Sequence, residues 1–427
     1  MGAVKVGILG LGTVGSGVAE ILLKNKESIN QRAGSRIELT KVLDKNLDRE
    51  KVVDIPTGIM TDRSEEVLGN SEIDIIVELI GGVGPAKRFV EQALEAKKHV
   101  VTANKELIAK YGDELFALAA KQGVKLHFEA SVGGGIPIIK SLQQSLTANR
   151  IEKVIGIVNG TTNYILTKMA DEGAEFEEVL AEAQQKGYAE ADPTSDIEGY
   201  DAAYKLTILS AIAFGRAISL DNIYREGITQ ITQEDITYAQ ELGYTIKLLG
   251  IAKRVNGEVE ARVQPAMIPQ DHSLAGVKDA FNAVLVKGDA VGELIYYGQG
   301  AGSLPTGSAV VADVIDITRN IDYQVTDLNE KRAYKAKTVK SHQELTSKYY
   351  IRLQVADKQK GLAVVSKILG DNDIRVSKVI GADQATKSVS LVFLTHSVIE
   401  KNLQRALKKI KERTAIKEVS NVIKIEA

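Results

Sequence analysis

Over the first 130 positions the apolar residues switch between two spacings. Short β-rich runs such as "VKVGILG" (Val4–Gly10), "IDIIVELIGG" (Ile73–Gly82) and "HVVTAN" (His99–Asn104) are nearly continuous, as strands buried in a sheet would be. Between them, "TVGSGVAEILLKNKESI", "GPAKRFVEQALEAKK" and "LIAKYGDELFALAAKQG" repeat their apolar positions at helical intervals. "RIELTKVLD" (Arg36–Asp44) alternates like a strand, and "KLHFEAS" (Lys125–Ser131) reads as another. Such alternation predicts an α/β fold, a parallel sheet with right-handed crossovers.

Past residue 130 the pattern changes. "SVGGGIPIIKSLQQSL" is glycine-rich and then helical, and "IEKVIGIVNGTTNYIL" joins a strand to a helix through "NGTTN". A long helix and several strand-like pieces follow to about residue 300, and "GQGAGSLPTGSAVVADVIDITR" supplies a glycine-rich turn and a helix. The stretch from Lys331 to Ser347 is polar and charged, as a linker would be. The tail then restarts. "YYIRLQVAD", "IRVSKVIGAD", "SVSLVFLTH" and "VSNVIKIEA" read as strands, with "GLAVVSKILGDN" and "IEKNLQRALKKIKE" as helices. That order, βαββαβ, is the ferredoxin-like arrangement.

Composition narrows the function classes. The chain has 427 residues, 44% of them hydrophobic, enough for two or three cores. Its net charge of −2 comes with no basic patch, so neither nucleic acid nor an anionic membrane is an expected partner. No apolar run is long enough to span a bilayer, no secretory signal opens the chain, and a reducing cytoplasm is the expected location. There are no cysteines, which removes disulfides, thiolate metal sites and every mechanism built on a cysteine nucleophile.

Candidate chemistry begins at "GLGTVG". Gly10, Gly12 and Gly15 form a G-x-G-x-x-G that follows a strand and opens a helix, the context of a dinucleotide-binding loop. The glycines serve a tight turn, close approach to pyrophosphate, and close helix–strand packing, while the helix N-terminus, at Thr13 and Val14, offers N–H groups to phosphate. Asp44 ends the second strand, where a carboxylate would hold a ribose 2′-hydroxyl and favour NAD, but Lys45 follows and would attract a 2′-phosphate. The choice between NAD and NADP stays open.

Lys105, in "VVTANKELI", lies just past a strand's carboxyl end, where a doubly wound sheet binds ligands. Further on, "AEADPTSDIEGYDAAYKL" sets five acidic residues within twelve positions, Glu190, Asp192, Asp196, Glu198 and Asp201, and ends on Lys205. Lys205 follows Asp201 by one helical turn, in an apolar helix. A partly buried lysine with a second cation nearby has its ammonium form disfavoured, giving an amine suited to proton transfer near neutrality. Glu190 or Asp196 would receive a substrate ammonium group, while Asp192 and Glu198 are read as solvated helix or turn residues.

Together "GLGTVG", "VTANKELI", "EASVGGGIPII", "NGTTNYIL" and "GYAEADPTSDIEGYDAAYKL" resemble the homoserine dehydrogenase family, almost continuously from residue 4 to about 320. The tail resembles an ACT domain, an amino-acid-sensing module. The resemblance implies a Rossmann-like dinucleotide-binding domain (1–130) and a mixed α+β catalytic and dimerisation domain (131–325) whose last helix, about 301–320, returns to the first. A linker (326–346) and a ferredoxin-like, ACT-like regulatory domain (347–427) follow. It implies NAD- or NADP-dependent interconversion of L-aspartate 4-semialdehyde and L-homoserine, on the route to threonine, methionine and isoleucine. Lys105 and Lys205 would be the acid–base pair, Glu190 the contact for the substrate amino group, and Asp196 and Asp201 its support. A monovalent cation, usually sodium, would sit on the Glu129 side chain and the carbonyls of Val132, Gly134 and Ile136. Gly187 and Gly302 match positions near the cofactor. A homodimer is implied, further association stays open, and threonine is the first effector to test. In the tail, Lys360 precedes Gly361 where relatives often carry proline.

Three rivals are weaker. Aspartate-semialdehyde dehydrogenase chemistry acylates a cysteine, and this chain has none. Another amino-acid dehydrogenase would not need the Glu190–Lys205 pattern. A non-catalytic nucleotide sensor would bind cofactor without turnover and would not need both lysines.

Overall fold

The structure, a computed structural model, describes residues 2–47, 53–215, 218–321, 339–381 and 389–426. The chain divides into two compact units. One comprises Met1–Val154, Tyr204–Leu220 and Phe281–Ala336, the other Ile155–Ala203, Asp221–Ala280 and Lys337–Ala427.

The first unit opens with β1 (Val4–Leu9), α1 (Thr13–Lys24), α2 (Lys26–Ala33), β2 (Ile37–Leu43), β3 (Met60–Thr61), α3 (Glu65–Leu68), β4 (Ile75–Glu78), α4 (Gly84–Glu95), β5 (His99–Thr102), α5 (Lys105–Gln122) and β6 (Leu126–His127). These six strands form one parallel sheet, in the order β3-β2-β1-β4-β5-β6. Strand order reverses between β1 and β4, the switch point at which such sheets bind ligands. β4 and β5 are buried along their whole length, which is why they read as unbroken apolar runs. Val6, Ile8, Ile75, Val77 and Val101 from the sheet pack with Val18, Val310 and Val314 from helices.

The strand expected over Lys125–Ser131 is shorter than its pattern suggests. Only Leu126 and His127 pair with β5, and Glu129–Ser131 turn as a 3-10 segment, with the Ser131 hydroxyl donating to the Phe128 carbonyl at 2.6 Å. The helix expected after the triple glycine is also cut, to α6 (Ile138–Lys140) and a π-turn at Ser141–Ser145.

The chain continues through β7 (Ile151–Ile157), α7 (Gly160–Glu172), α8 (Phe176–Gln185), α9 (Thr194–Ile197), α10 (Tyr200–Phe214), β8 (Tyr224–Arg225), α11 (Gln233–Glu241), β9 (Tyr244–Val255) and β10 (Glu258–Pro269). A hairpin of β11 (Phe281–Gly288) and β12 (Gly292–Gln299) leads into α12 (Ser303–Arg319), in the first unit. α12 packs backbone to backbone on α1: a Cβ on Gly17 would lie 2.2 Å from the Ser303 carbonyl oxygen, so no larger residue fits.

The tail, in the second unit, contains β13 (Thr346–Val355), α13 (Lys358–Gly370), β14 (Val376–Gly381), β15 (Val389–Thr395), β16 (Val398–Ile399), α14 (Glu400–Lys411) and β17 (Ile416–Ile425). Its antiparallel strands run β17-β13-β15-β14, the ferredoxin-like order, over a core that includes Tyr349, Leu353, Phe393 and Leu403. Its sheet is continuous with the rest of the unit, because β17 lies parallel to β10, which pairs with β9. Of the linker expected at 326–346, residues 326–338 lie outside the described residues. Val339 bridges to Val259, and a turn at His342–Glu344 leads into β13. No described helix is long and apolar enough to cross a membrane.

Candidate active site

The glycine loop follows β1. Gly10 has φ +100°, and a Cβ there would lie 2.9 Å from the Leu79 carbonyl oxygen. Gly12 is the N-cap of α1 and carries no side-chain cap, and a Cβ on it would meet nothing within 4 Å. Gly15 is different: its Cβ would sit 2.0 Å from the Gly10 carbonyl oxygen, so this glycine lets the helix close on the loop. Thr13 and Val14 begin α1, where N–H groups have no intrahelical acceptor. An open side, uncapped N–H donors and the helix dipole suit a pyrophosphate. At the end of β2, Asp44 accepts from the Leu11 N–H at 2.9 Å through Oδ2 and from the Asn46 N–H at 2.9 Å through Oδ1. It pins the loop itself, a role its position in the sequence did not reveal, and Lys45 beside it is exposed.

Next in the sheet, the ends of β4 and β5 are cross-linked. The Thr102 hydroxyl donates to Glu78 at 2.6 Å, and the Ile80 N–H donates to the same carboxylate at 2.7 Å. Burial pushes Glu78 above the usual carboxylate range, against these hydrogen bonds. Asn104 caps α5 by accepting from the Leu107 N–H at 3.0 Å, and its amide donates to the Gly82 carbonyl at 2.6 Å. Lys105 is thereby fixed as the first residue of α5, half-buried. Sequence reasoning passed over Glu78; the available signal was one acid inside an otherwise apolar strand.

Lys205 lies in α10 and is only 9% exposed. The hydroxyl of Tyr204 is 3.5 Å from Glu106 Oε1, and the Lys110 ammonium is 5.4 Å from the Tyr204 ring centroid. The residue after Lys105 and the residue before Lys205 therefore meet.

In the second unit, Asp201 is buried and Asp196 half-buried, and one amide joins them. Asn159 Nδ2 donates to Asp196 Oδ1 at 2.6 Å and to Asp201 Oδ2 at 2.8 Å. Glu190 is exposed, and its carbonyl accepts from the Gln184 amide at 3.1 Å. Asp192 is an exposed turn residue that accepts from the Thr194 N–H at 3.1 Å. Glu198 is half-buried rather than solvated, with its carbonyl held by Arg225 and its carboxylate 3.3 Å from the Thr229 hydroxyl. Gly187 follows α8 with φ +74°, and Gly302 caps α12 with φ +127°.

The loop from Glu129 to Ile136 is folded on itself in the first unit. Glu129 is 3% exposed and accepts from the N–H groups of Ile139 and Lys140 at 2.8 and 2.7 Å, while its own N–H donates to Asp313. Burial, then the nearby Asp313 carboxylate, push Glu129 up to about 7, a direction that a cation beside it would reverse. Gly133 and Gly134 have positive φ, and a Cβ on Gly134 would lie 2.5 Å from the Gly300 carbonyl. A buried carboxylate beside a glycine-rich turn offers oxygen of the kind a hard cation takes. Among the described residues no cluster of three or more His, Asp or Glu side chains could hold a metal, so any cation here would also need main-chain carbonyls.

Comparison with known proteins agrees with this geometry. Residues 10–129 match the model of the NAD-binding domain of homoserine dehydrogenase, and residues 137–315 match the homoserine dehydrogenase model. The chain is 44% identical to the homoserine dehydrogenase of Neisseria gonorrhoeae, covering 100% of this chain and 99% of that protein, and 41% identical to that of Bacillus subtilis at the same coverage. The chain belongs to the homoserine dehydrogenase family. It is thus an NAD(P)-dependent oxidoreductase with a dinucleotide-binding domain. The crystal structure of the family member from Thiobacillus denitrificans superposes with a TM-score of 0.94 at 48% identity, covering 99% of this chain and 98% of that one. A hyperthermophilic archaeal member in complex with NADPH gives a TM-score of 0.63 at 28% identity, and the match covers 74% of this chain and 98% of that one.

Proposed function

We propose that this protein interconverts L-aspartate 4-semialdehyde and L-homoserine, with Lys105 and Lys205 as the proton-transferring pair. The observation that carries this reading is the Glu106–Tyr204 contact, which brings the start of α5 toward buried Lys205 in a member of this family. A nicotinamide cofactor, when bound, exchanges hydride with carbon 4 of the substrate. In reduction, a lysine ammonium gives its proton to the substrate oxygen as that oxygen gains the carbonyl electron pair; in oxidation, a neutral lysine takes the hydroxyl proton. Glu190 contacts the substrate ammonium, with Asp196 and Asp201 in support. Gly10, Gly12, Thr13, Val14 and Gly15 hold the cofactor phosphates, Asp44 the ribose, and Lys105, Gly187 and Gly302 border the cofactor. Glu129, with the carbonyls of Val132, Gly134 and Ile136, holds sodium.

The tail acts as an ACT module, for which its ferredoxin-like order is the support, and threonine is the effector to try first. The protein works as a homodimer, in threonine, methionine and isoleucine synthesis. The deciding assay is oxidation of NADH and of NADPH by the purified protein with aspartate semialdehyde, alongside Lys205→Ala. We expect turnover in the parent and a kcat loss of about 10²–10⁴-fold in the variant, with cofactor affinity kept. Equal losses of both would reject the acid–base role, and cofactor binding without turnover in the parent would favour a sensor.

A further inference from the structure

The motif "NGTTN" joins β7 to α7, and three of its side chains, those of Asn159, Thr161 and Asn163, reach other segments. Thr161 donates to the Tyr188 carbonyl at 2.6 Å, and Asn163 donates to the carbonyls of Val277 and Asp279 at 3.2 and 2.9 Å. Gly160 lies so close to Ala280 that a Cβ would be 2.8 Å from its carbonyl oxygen. Asn159 is 5% exposed and N-caps α7. Its Oδ1 accepts from the Thr162 N–H at 2.8 Å and from the Thr162 hydroxyl at 2.9 Å. With the oxygen committed to two donors, the amide nitrogen must face the other way. There it spends one hydrogen on Asp196 of α9 and one on Asp201 of α10.

We propose that Asn159 is the positioning residue that holds Asp196 and Asp201 in one arrangement for the substrate ammonium group. This rests on the assignment of those two aspartates to the substrate. Two carboxylates this close repel, and a neutral amide donating to both offsets that repulsion without supplying a positive charge that would compete with the substrate. The two amide N–H groups serve this arrangement, whereas the cap is not specific to asparagine: aspartate and serine cap helices as well as asparagine does.

That difference supplies the test. Asn159→Ser and Asn159→Asp both keep a capping oxygen, and both lose the two donors. The parent, both variants, Asp196→Asn and Asp201→Asn are compared for homoserine oxidation, NAD(P)H affinity and thermal unfolding. We expect kcat/KM for homoserine to fall about 100-fold or more in Asn159→Ser, and further in Asn159→Asp, which adds a third carboxylate. Cofactor affinity should stay within about twofold and the unfolding transition of Asn159→Ser near the parent's. Should Asn159→Asp fail to fold, Asn159→Ser decides alone. An Asn159→Ser enzyme with parental kcat/KM overturns the proposal, and so does one that loses cofactor affinity and thermal stability together with homoserine turnover. If Asp196→Asn and Asp201→Asn both keep full activity, the aspartate assignment fails and takes this inference with it. If those two lose activity and Asn159→Ser does not, only the positioning role fails.

Discussion

Removing the Asp235 carboxylate should unfold the second unit at a much lower temperature while leaving the chemistry alone. Asp235 is 0% exposed. It accepts from Arg352 at 2.7 and 3.1 Å, from the Tyr350 hydroxyl at 3.0 Å, from Asn421 at 2.8 Å, and from the N–H and hydroxyl of Thr232 at 3.1 and 2.9 Å. It is thus the point where α11 is fastened to β13 and β17. In Asp235→Ala the Arg352 guanidinium stays buried, with Glu234 as its remaining ion-pair partner among the described residues. Breaking a buried pair from one side costs about 3–5 kcal/mol. At about 2–4 °C per kcal/mol for a unit of this size, the transition should drop by about 10 °C. Burial works against ionisation of Asp235, but the hydrogen bonds and charge of Arg352, helped by Asn421 and Thr232, outweigh it and hold the carboxyl below its usual range. A carboxyl lowered by folding stabilises above its unfolded pKa and loses that contribution as pH falls through the folded value. The parent and Asp235→Ala should therefore differ fully at neutral pH and converge below about pH 4. Urea and thermal unfolding from pH 7 to pH 2 test this, with Arg352→Ala and the double variant completing a cycle. The double variant should cost about 1–3 kcal/mol less than the sum of the singles. A loss under about 1 kcal/mol, a difference that does not change with pH, or strict additivity would refute the reasoning.

Two further outcomes are expected. In Gly15→Ala the new methyl would sit 2.0 Å from the Gly10 carbonyl oxygen, so the loop must open. An overpacking cost of about 1–3 kcal/mol predicts cofactor affinity down about tenfold or more by fluorescence titration, and unchanged affinity would contradict the packing role. A shortened chain ending at Lys331 should keep aspartate semialdehyde turnover yet melt lower. It loses Glu426, which pairs with buried Arg262 and lies 2.6 Å from Lys253. A shortened chain that is folded and inactive would show that the tail does more than regulate.

Much of the first unit was readable because its signals are local. A strand buried on both faces must be apolar throughout, so β4 and β5 announced themselves, and the three glycines stood at the turn that needs them. Local reading failed where a pattern continued but its partner did not. "KLHFEAS" alternates correctly, yet Phe128 has ψ 30° and the chain turns away, placing Glu129 where Ile139 and Lys140 donate to it. Glu198 shows the same limit. Its position in an acidic stretch suggested solvent, but the chain around Arg225 and Thr229 closes over it.

The sequence alone determined the alternation of strands and helices over most of the first 130 residues, the glycine-rich turn after β1, and which acids and lysines crowd toward residue 205. Each of these depends on spacing within a few residues, where backbone geometry is nearly fixed. Tertiary structure decided the partners. It turned Asp44 onto Leu11, set Thr102 on Glu78, placed β17 beside β10, and gave one amide, Asn159, to two aspartates 37 and 42 residues away in the chain. Such pairings depend on close packing among distant segments, and a buried donor is satisfied by whichever acceptor the fold brings within reach, however far along the chain it lies.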